Sequence, residues 1–324
     1  MEKYTVGIDL GGTNITAALV NQAGEVKGCL KLATQAEMGP PGVTQRMIQM
    51  VCSLLTENNL TLGNLFGLGI GVPGLVNSRE GTAIFLPNLP GWRNIPLVQW
   101  VRGELGVPVL IDNDVRMAAW GEKLQGAGRG WDDIVCITLG TGIGSGIFLQ
   151  GKMFRGHSES AGEIGHMTVE KDGLPCTCGN RGCLEMYASG RAIARRAKEA
   201  VKQNGFSPIL ELAEGDESMI TARTVYDAAR LGDSLAHGII REAAAYLGIG
   251  LANVANILNP QGIIIGGGVA GMGEMLLTPV REVVKARAMP LNREVEIVAA
   301  ELGDGAGAIG AAYVAGINGG IIRS

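Results

Sequence analysis

Thr5-Val6-Gly7-Ile8-Asp9-Leu10-Gly11-Gly12-Thr13 and Ile134-Val135-Cys136-Ile137-Thr138-Leu139-Gly140-Thr141-Gly142 are two renderings of one pattern. In each, an apolar strand breaks at glycines that carry a threonine, and a second strand runs back, Thr16–Val20 after the first copy and Gly146–Phe148 after the second. One unit repeated at so long an interval is a duplicated lobe, not a short-period solenoid. Helical and strand patterns alternate around both copies, which defines an α/β fold. The first copy is followed by a helix over Gly42–Asn58, strands at Leu65–Val72 and Val107–Ile111, and a helix over Ile95–Leu105. Between them, Pro73–Trp92 reads as a loop rich in proline and glycine. A helix at Val115–Leu124 precedes the second copy. Helices then fall at Ser189–Asn204, Thr224–Leu231, Ser234–Leu258 and from Met272 onward, with strands at Gly262–Ile265 and Val295–Ala299. A small-residue helix, Ala306–Ile317, closes the chain.

A chain of 324 residues exceeds what one core usually serves, so two lobes are expected. The first takes 1–116 and recovers the C-terminal helix at 306–324; the second takes 117–305. The 51 glycines follow no Gly-x-y period, so they mark tight turns and close backbone approaches. A net charge of −4 offers no basic face for nucleic acid. Apolar stretches such as Gly262–Val269 are too short to span a bilayer. The start, Met1-Glu2-Lys3-Tyr4, enters a strand without a basic and apolar leader, so a cytoplasmic protein is expected. In that compartment the six cysteines are not a disulfide framework. Cys29, Cys52 and Cys136 lie among apolar residues and read as buried thiols.

Glycine lets backbone N–H groups approach anionic oxygens, and threonine adds a hydroxyl donor. Either turn alone is only a tight hairpin; its recurrence in both halves points to a ligand with several phosphates. Three other glycine patterns fare differently. Gly146-x4-Gly151-Lys152 places Met153 where a P-loop needs Ser or Thr. Gly69-x-Gly71-x-x-Gly74 runs into Pro73 and a loop instead of a helix. Gly266-x-Gly268-x-x-Gly271 does follow a strand and open a helix. A dinucleotide site also needs an acidic residue capping the next strand about 20 residues on, and Glu296 lies inside its strand instead. A helix N-terminus set against part of a nucleotide remains compatible with it.

Asp114 ends the strand in Ile111-Asp112-Asn113-Asp114, at the carboxyl end where α/β sheets place ligands. It suits a general base for a hydroxyl attacking phosphorus, and it equally suits an N-cap for the helix from Val115; position alone leaves both open. Asn113 offers a donor and an acceptor, as sugar hydroxyls require. The strongest local signal is His166…Cys176-x-Cys178-x4-Cys183, a tetrahedral zinc set of the Cys3His type. Such closed sites are structural. Glu163 and Glu185 flank the cluster, so the metal would fix two carboxylates. His157 has no such neighbours and reads as a loop histidine.

With these residues in view, the sequence resembles the ROK family of sugar kinases and repressors, within the actin/hexokinase-like superfamily. The likeness covers nearly the whole chain. It rests on Asp9-Leu10-Gly11-Gly12-Thr13, Asp112-Asn113-Asp114, Leu139-Gly140-Thr141-Gly142-Ile143-Gly144, Glu163-Ile164-Gly165-His166, Cys176 through Glu185, and Gly303-Asp304-Gly305-Ala306-Gly307-Ala308. It implies a two-lobed, ribonuclease H-like α/β fold with a cleft between the lobes. It further implies transfer of phosphate from ATP, with Mg²⁺, to the 6-hydroxyl of a hexose, glucose first, then fructose, mannose, allose or N-acetylmannosamine. Asp114 would be the base; Asn88, Asn113, Asp114, Glu163, His166 and Glu185 would hold the sugar. Gly11, Gly12, Thr13, Thr141, Gly142 and Gly144 would line the phosphates, with Asp9 near Mg²⁺ and Gly267 and Gly268 near the adenosine. Asn14 stands where many members carry lysine. His166 would place one ring nitrogen on zinc and the other toward the sugar. Family repressors carry a helix-turn-helix ahead of the first phosphate motif, which here begins within ten residues, so a kinase is expected. A homodimer or homotetramer is implied, and a non-catalytic sugar sensor is the alternative of a different class.

Overall fold

Strand β1 (Tyr4–Leu10) is buried on both faces, with only Asp9 half-buried. It pairs antiparallel with β2 (Asn14–Asn21), and β2 pairs antiparallel with β3 (Val26–Ala33). β3 is an edge strand that alternates between exposed and half-buried residues. That alternation puts Cys29 in solvent, and Cys52 is exposed on the outer side of α1 (Gly39–Glu57). Of the three thiols expected to be buried, only Cys136 is. Each of the other two sits one position off an apolar face. α1 begins earlier than its apolar periodicity suggests, because prolines in the first turn lose no hydrogen bond there.

β4 (Leu65–Val72) lies parallel to β1. The expected loop after it holds a small antiparallel sheet, β5 (Leu75–Asn77), β6 (Thr82–Phe85) and β7 (Arg93–Ile95). α2 (Leu97–Leu105) starts after Pro96, and β8 (Val109–Asn113) returns parallel to β4. α3 (Asp114–Gln125) follows without a loop. The sheet order is β3-β2-β1-β4-β8.

The C-terminal helix, Ala306–Asn318, completes this unit. Its alanines and glycines are explained by what it touches. A Cβ on Gly7 of β1 would stand 1.9 Å from the Ala308 carbonyl oxygen. A Cβ on Gly310 would stand 1.8 Å from the Met117 carbonyl oxygen of α3. Only glycine permits either approach. The seam keeps α3 in the first unit, which comprises Met1–Gly130 and Leu302–Ser324. Residues 117–130 thus belong with it, not with the second lobe as the sequence reading divides them. The structure, a computed structural model, describes residues 2–204 and 207–322, so 323 and 324 of the expected terminal helix lie outside the described residues.

The second unit, Trp131–Glu301, repeats the plan. β9 (Ile134–Leu139), β10 (Ile143–Leu149) and β11 (Lys152–Met153) form an antiparallel meander. β12 (Gly262–Gly266) and β13 (Glu296–Ala299) extend it in parallel, giving the order β11-β10-β9-β12-β13. The duplication legible in the two quoted stretches is therefore a duplication of topology. Helices α4 (Glu185–Ala188), α5 (Gly190–Asn204), α6 (Pro208–Leu212), α7 (Ala222–Arg230), α8 (Ser234–Leu258) and α9 (Glu274–Arg287) complete the unit. α8 is capped by the Asp233 side chain and stopped by Asn259 in the left-handed region. Its Ala243, Leu247 and Leu251 are fully buried in the core. The expected helix from Ser189 is α5, which starts one residue later because extended Ser189 separates it from the short α4. A single tight turn, Gly268–Met272, follows β12, and α9 starts only at Glu274. No described helix is long and apolar enough to cross a membrane.

Candidate active site

In the first unit the β1–β2 turn is closed by its own backbone: the Gly11 N–H donates to the Asn14 carbonyl at 2.9 Å. The Thr34 hydroxyl donates to the Gly11 carbonyl at 2.7 Å, and the Thr34 N–H to the Thr13 carbonyl at 2.8 Å. These bonds fix Gly11 and Gly12 while Thr13 and Asn14 stay exposed. Asn88 packs beside the turn, since a Cβ on Gly12 would stand 3.2 Å from the Asn88 Cβ. At the end of β1, Asp9 faces the first turn of the C-terminal helix; a Cβ on Gly307 would stand 2.6 Å from Asp9 Oδ2. Burial, then the charges of Asp114 and Asp304, push the Asp9 carboxyl up to about 7.

The corner between β8 and α3 carries Asp114. Here the capping falls to Asn113, whose Oδ1 accepts from the N–H groups of Val115 (3.0 Å) and Arg116 (3.3 Å). β8 runs through Asn113, so the helix begins at Asp114 and the cap moves back one residue. Asn113 retains its amide N–H groups, one of which donates to the Gly74 carbonyl at 3.4 Å. Asp114 Oδ1 accepts from the Val115 N–H at 2.9 Å, yet burial still raises its carboxyl to about 6. Asp112, quoted in the sequence reading without a role, is buried and pairs with Arg116 at 3.4 Å. It also accepts from the Asn113 N–H at 2.8 Å. This pair braces the corner, and its i,i+4 spacing was the available signal.

In the second unit the β9–β10 turn is closed by the Gly140 N–H donating to the Gly142 carbonyl at 2.9 Å. The Gly190 N–H, opening α5, donates to the Gly140 carbonyl at 2.9 Å. Thr141 is exposed at the tip. A cavity of about 520 Å³ runs from Gly140 and Thr141 to Gly268. Its walls come from α5, α7 and the segments ahead of α7 and α9: Arg191, Ile220, Thr221, Arg223, Tyr226, Val269 and Met272. The volume lies within the range of small-molecule sites, and the lining is mostly apolar. None of these wall residues was visible in a motif. Gly268 lines the cavity; Gly267 instead packs on β9, where its Cβ would stand 2.5 Å from the Leu139 carbonyl oxygen. Gly144 is half-buried within β10.

The four expected metal ligands converge in the same unit. The donor atoms of His166, Cys176, Cys178 and Cys183 all lie within 4.8 Å of one another. Cys178 and Cys183 sulfurs are 3.7 Å apart, and the Cys176 sulfur is 3.6 Å from His166 Nδ1. A tetrahedral ion bound at about 2.3 Å by sulfur and about 2.0 Å by nitrogen sets S–S edges near 3.8 Å and S–N edges near 3.5 Å, which these two separations match. Burial and the neighbouring thiols push Cys183 up to about 12, a cost that a divalent cation reverses. His166 turns its other nitrogen, Nε2, toward Glu163 at 4.0 Å. Glu185 Oε2 accepts from the Ile143 N–H at 2.9 Å, and Glu163 is exposed. His157 lies in an exposed loop.

Two α/β sheets of one topology, each opening with a strand, a glycine turn and a returning strand, are the plan of the actin/hexokinase-like class. Within that class the chain belongs to the ROK family, whose model matches residues 5–316. It is 38% identical over 315 residues to a glucokinase from Halalkalibacterium halodurans, covering 97% of this chain and 95% of that one. It is 36% identical over 286 residues to a xylose repressor from Caldicellulosiruptor bescii, covering 87% of this chain and 70% of the repressor. Among solved structures, a ROK family glucokinase from Streptomyces griseus in complex with glucose and AMPPNP superposes with a TM-score of 0.80. It is 38% identical and covers 96% of this chain and 99% of its own.

Proposed function

We propose that this chain is an ATP-dependent sugar kinase that phosphorylates a hexose at the 6-hydroxyl, with glucose the first substrate to test. Asp114 carries the proposal: a half-buried carboxyl at the carboxyl end of β8, with its proton affinity raised to about 6. Such a group is ionised at neutral pH yet more basic than an ordinary aspartate, as a general base for an alcohol should be. The attacking 6-oxygen forms its bond to the γ-phosphorus as the bond to the β-phosphate oxygen breaks. Asp114 accepts the hydroxyl proton, and ADP leaves. In so loose a transition state positioning supplies most of the rate, and proton transfer comes late.

Asn88, Asn113, Glu163, His166 and Glu185 are assigned to the sugar hydroxyls. Asn113 would act as a donor only, since its oxygen caps α3. Gly11, Gly12 and Thr13 in one unit, and Thr141, Gly142 and Gly144 in the other, are assigned to phosphate oxygens. The apolar cavity beside Gly268 suits the adenosine. Asp9 fits a place near Mg²⁺, because its raised proton affinity comes from burial and from like charges, both of which a divalent cation offsets. When bound, that ion neutralises phosphate charge. His166, Cys176, Cys178 and Cys183 would hold a structural zinc. A thiolate zinc site of this kind suits a reducing cytoplasm.

The test is a coupled assay over a panel of hexoses and of donors including ATP and polyphosphate, with Asp114→Ala alongside. Turnover by the native chain, abolished in Asp114→Ala with glucose binding retained by calorimetry, is the expected result. Native-like turnover in the variant removes Asp114 from the mechanism. The related xylose repressor favours a second reading, a non-catalytic sugar sensor. That reading requires sugar binding by the native chain with no turnover of any hexose.

A further inference from the structure

Ile143, the first residue of β10, is held from two sides by the metal-binding segment. Its N–H donates to Glu185 Oε2 at 2.9 Å. A Cβ on Gly142 would stand 2.4 Å from the same oxygen, so the carboxylate lies directly on the turn. On the other side, a Cβ on Gly165 would stand 2.3 Å from the Ile143 carbonyl oxygen. Gly165 immediately precedes His166, and Glu185 follows Cys183 by two residues. The intervening chain has little slack. Leu184 is fully buried, its N–H donates to the Met167 carbonyl at 2.9 Å, and the Met186 N–H donates to the Cys183 carbonyl at 2.9 Å. Displacement of either limb of the Cys/His cluster therefore reaches Ile143, and through it Thr141 and Gly142.

We propose that Glu185 is a positioning residue for the β9–β10 turn, and that through it metal loading of the Cys/His cluster strengthens nucleotide binding. The inference rests on the assignment of that turn to the nucleotide. One carboxylate oxygen is committed to the Ile143 N–H, and the other is left for a sugar hydroxyl. A charge-assisted bond to a backbone N–H is among the stronger hydrogen bonds, and breaking it strands a donor at the turn's root. Linkage makes the effect reciprocal: nucleotide should raise metal affinity by the factor by which metal raises nucleotide affinity.

The test titrates ADP by calorimetry into the zinc-loaded chain without sugar, so that Glu185's sugar contacts do not enter. Glu185→Ala is expected to bind ADP about tenfold more weakly. Glu185→Gln keeps an oxygen for the Ile143 N–H and is expected within about threefold of the native chain. Hydrogen exchange over residues 139–145 should accelerate in Glu185→Ala and in the native chain stripped by a chelator. Native-like ADP affinity and native-like protection in Glu185→Ala overturn the positioning role and leave the nucleotide assignment standing. A native chain that binds no ADP overturns the nucleotide assignment and this role with it. Should Glu185→Ala not fold, exchange in the native chain decides: protection unchanged on stripping refutes the link to the metal.

Discussion

Replacing Asp9 by asparagine should make the ligand-free protein more stable while removing its activity. Asp9 keeps its proton up to about pH 7 in the folded chain, against about 3.8 when unperturbed. The difference of about three units corresponds to about 4 kcal/mol at full ionisation, and partial solvent access reduces this to roughly 2–4 kcal/mol. The sign follows from proton binding. The folded state holds the proton more tightly, so the associated stability is complete below about pH 4 and is lost as pH rises through about 7. Asparagine has the same shape and no proton to lose. The variant should therefore exceed the native chain by roughly 2–4 kcal/mol at pH 8, with the gap narrowing toward pH 4. For a unit of this size that is at least about 5 °C in Tm. Thermal unfolding followed by circular dichroism from pH 5 to 8, in buffer free of Mg²⁺ and nucleotide, measures it. Parallel Tm–pH curves for the two proteins would refute the reasoning.

Asp114 must be ionised to act as a base, so kcat/KM should fall about tenfold per unit as pH drops below about 6; a flat profile between pH 5 and 8 would contradict the role. Freshly purified protein should contain about one zinc per chain, and Cys183→Ser should lose it, by elemental mass spectrometry. Gly310→Ala should cost about 3 kcal/mol or more in chemical denaturation, because its Cβ would stand 1.8 Å from the Met117 carbonyl oxygen. Gly103→Ala, on α2 with nothing within 4 Å, should instead stabilise by about 0.5–1 kcal/mol. Equal effects of the two alanines would show that the helix seam is not close-packed.

The duplicated hairpin was legible because its signal is local: an apolar run, glycines and a returning run within a dozen or so residues. The Cys/His cluster was legible for the same reason. α8 was placed end to end because Asp233 and Asn259 punctuate a long apolar pattern. The β5–β7 sheet escaped notice because its strands are three or four residues long and expose Leu75, Ile84 and Phe85, which leaves no alternation to detect. In Asp112-Asn113-Asp114 three residues of capping type stand together, and only the length of β8 decides that Asn113 caps the helix. The cavity beside Thr141 is assembled from α5, α7 and the Gly268 turn, segments distant in sequence, so no spacing foretold Arg191 or Tyr226.

The glycine seam between the C-terminal helix and β1 also bears on the order of events at the ribosome. Residues 131–301 are synthesised as one uninterrupted stretch with their own core, so they can collapse while translation continues. The opening 130 residues must wait, with the faces of β1 and β4 uncovered, until the last helix emerges to cover them. Premature termination between Glu301 and Ala306 should therefore yield a folded second unit trailing an unfinished first one, a chaperone client by construction.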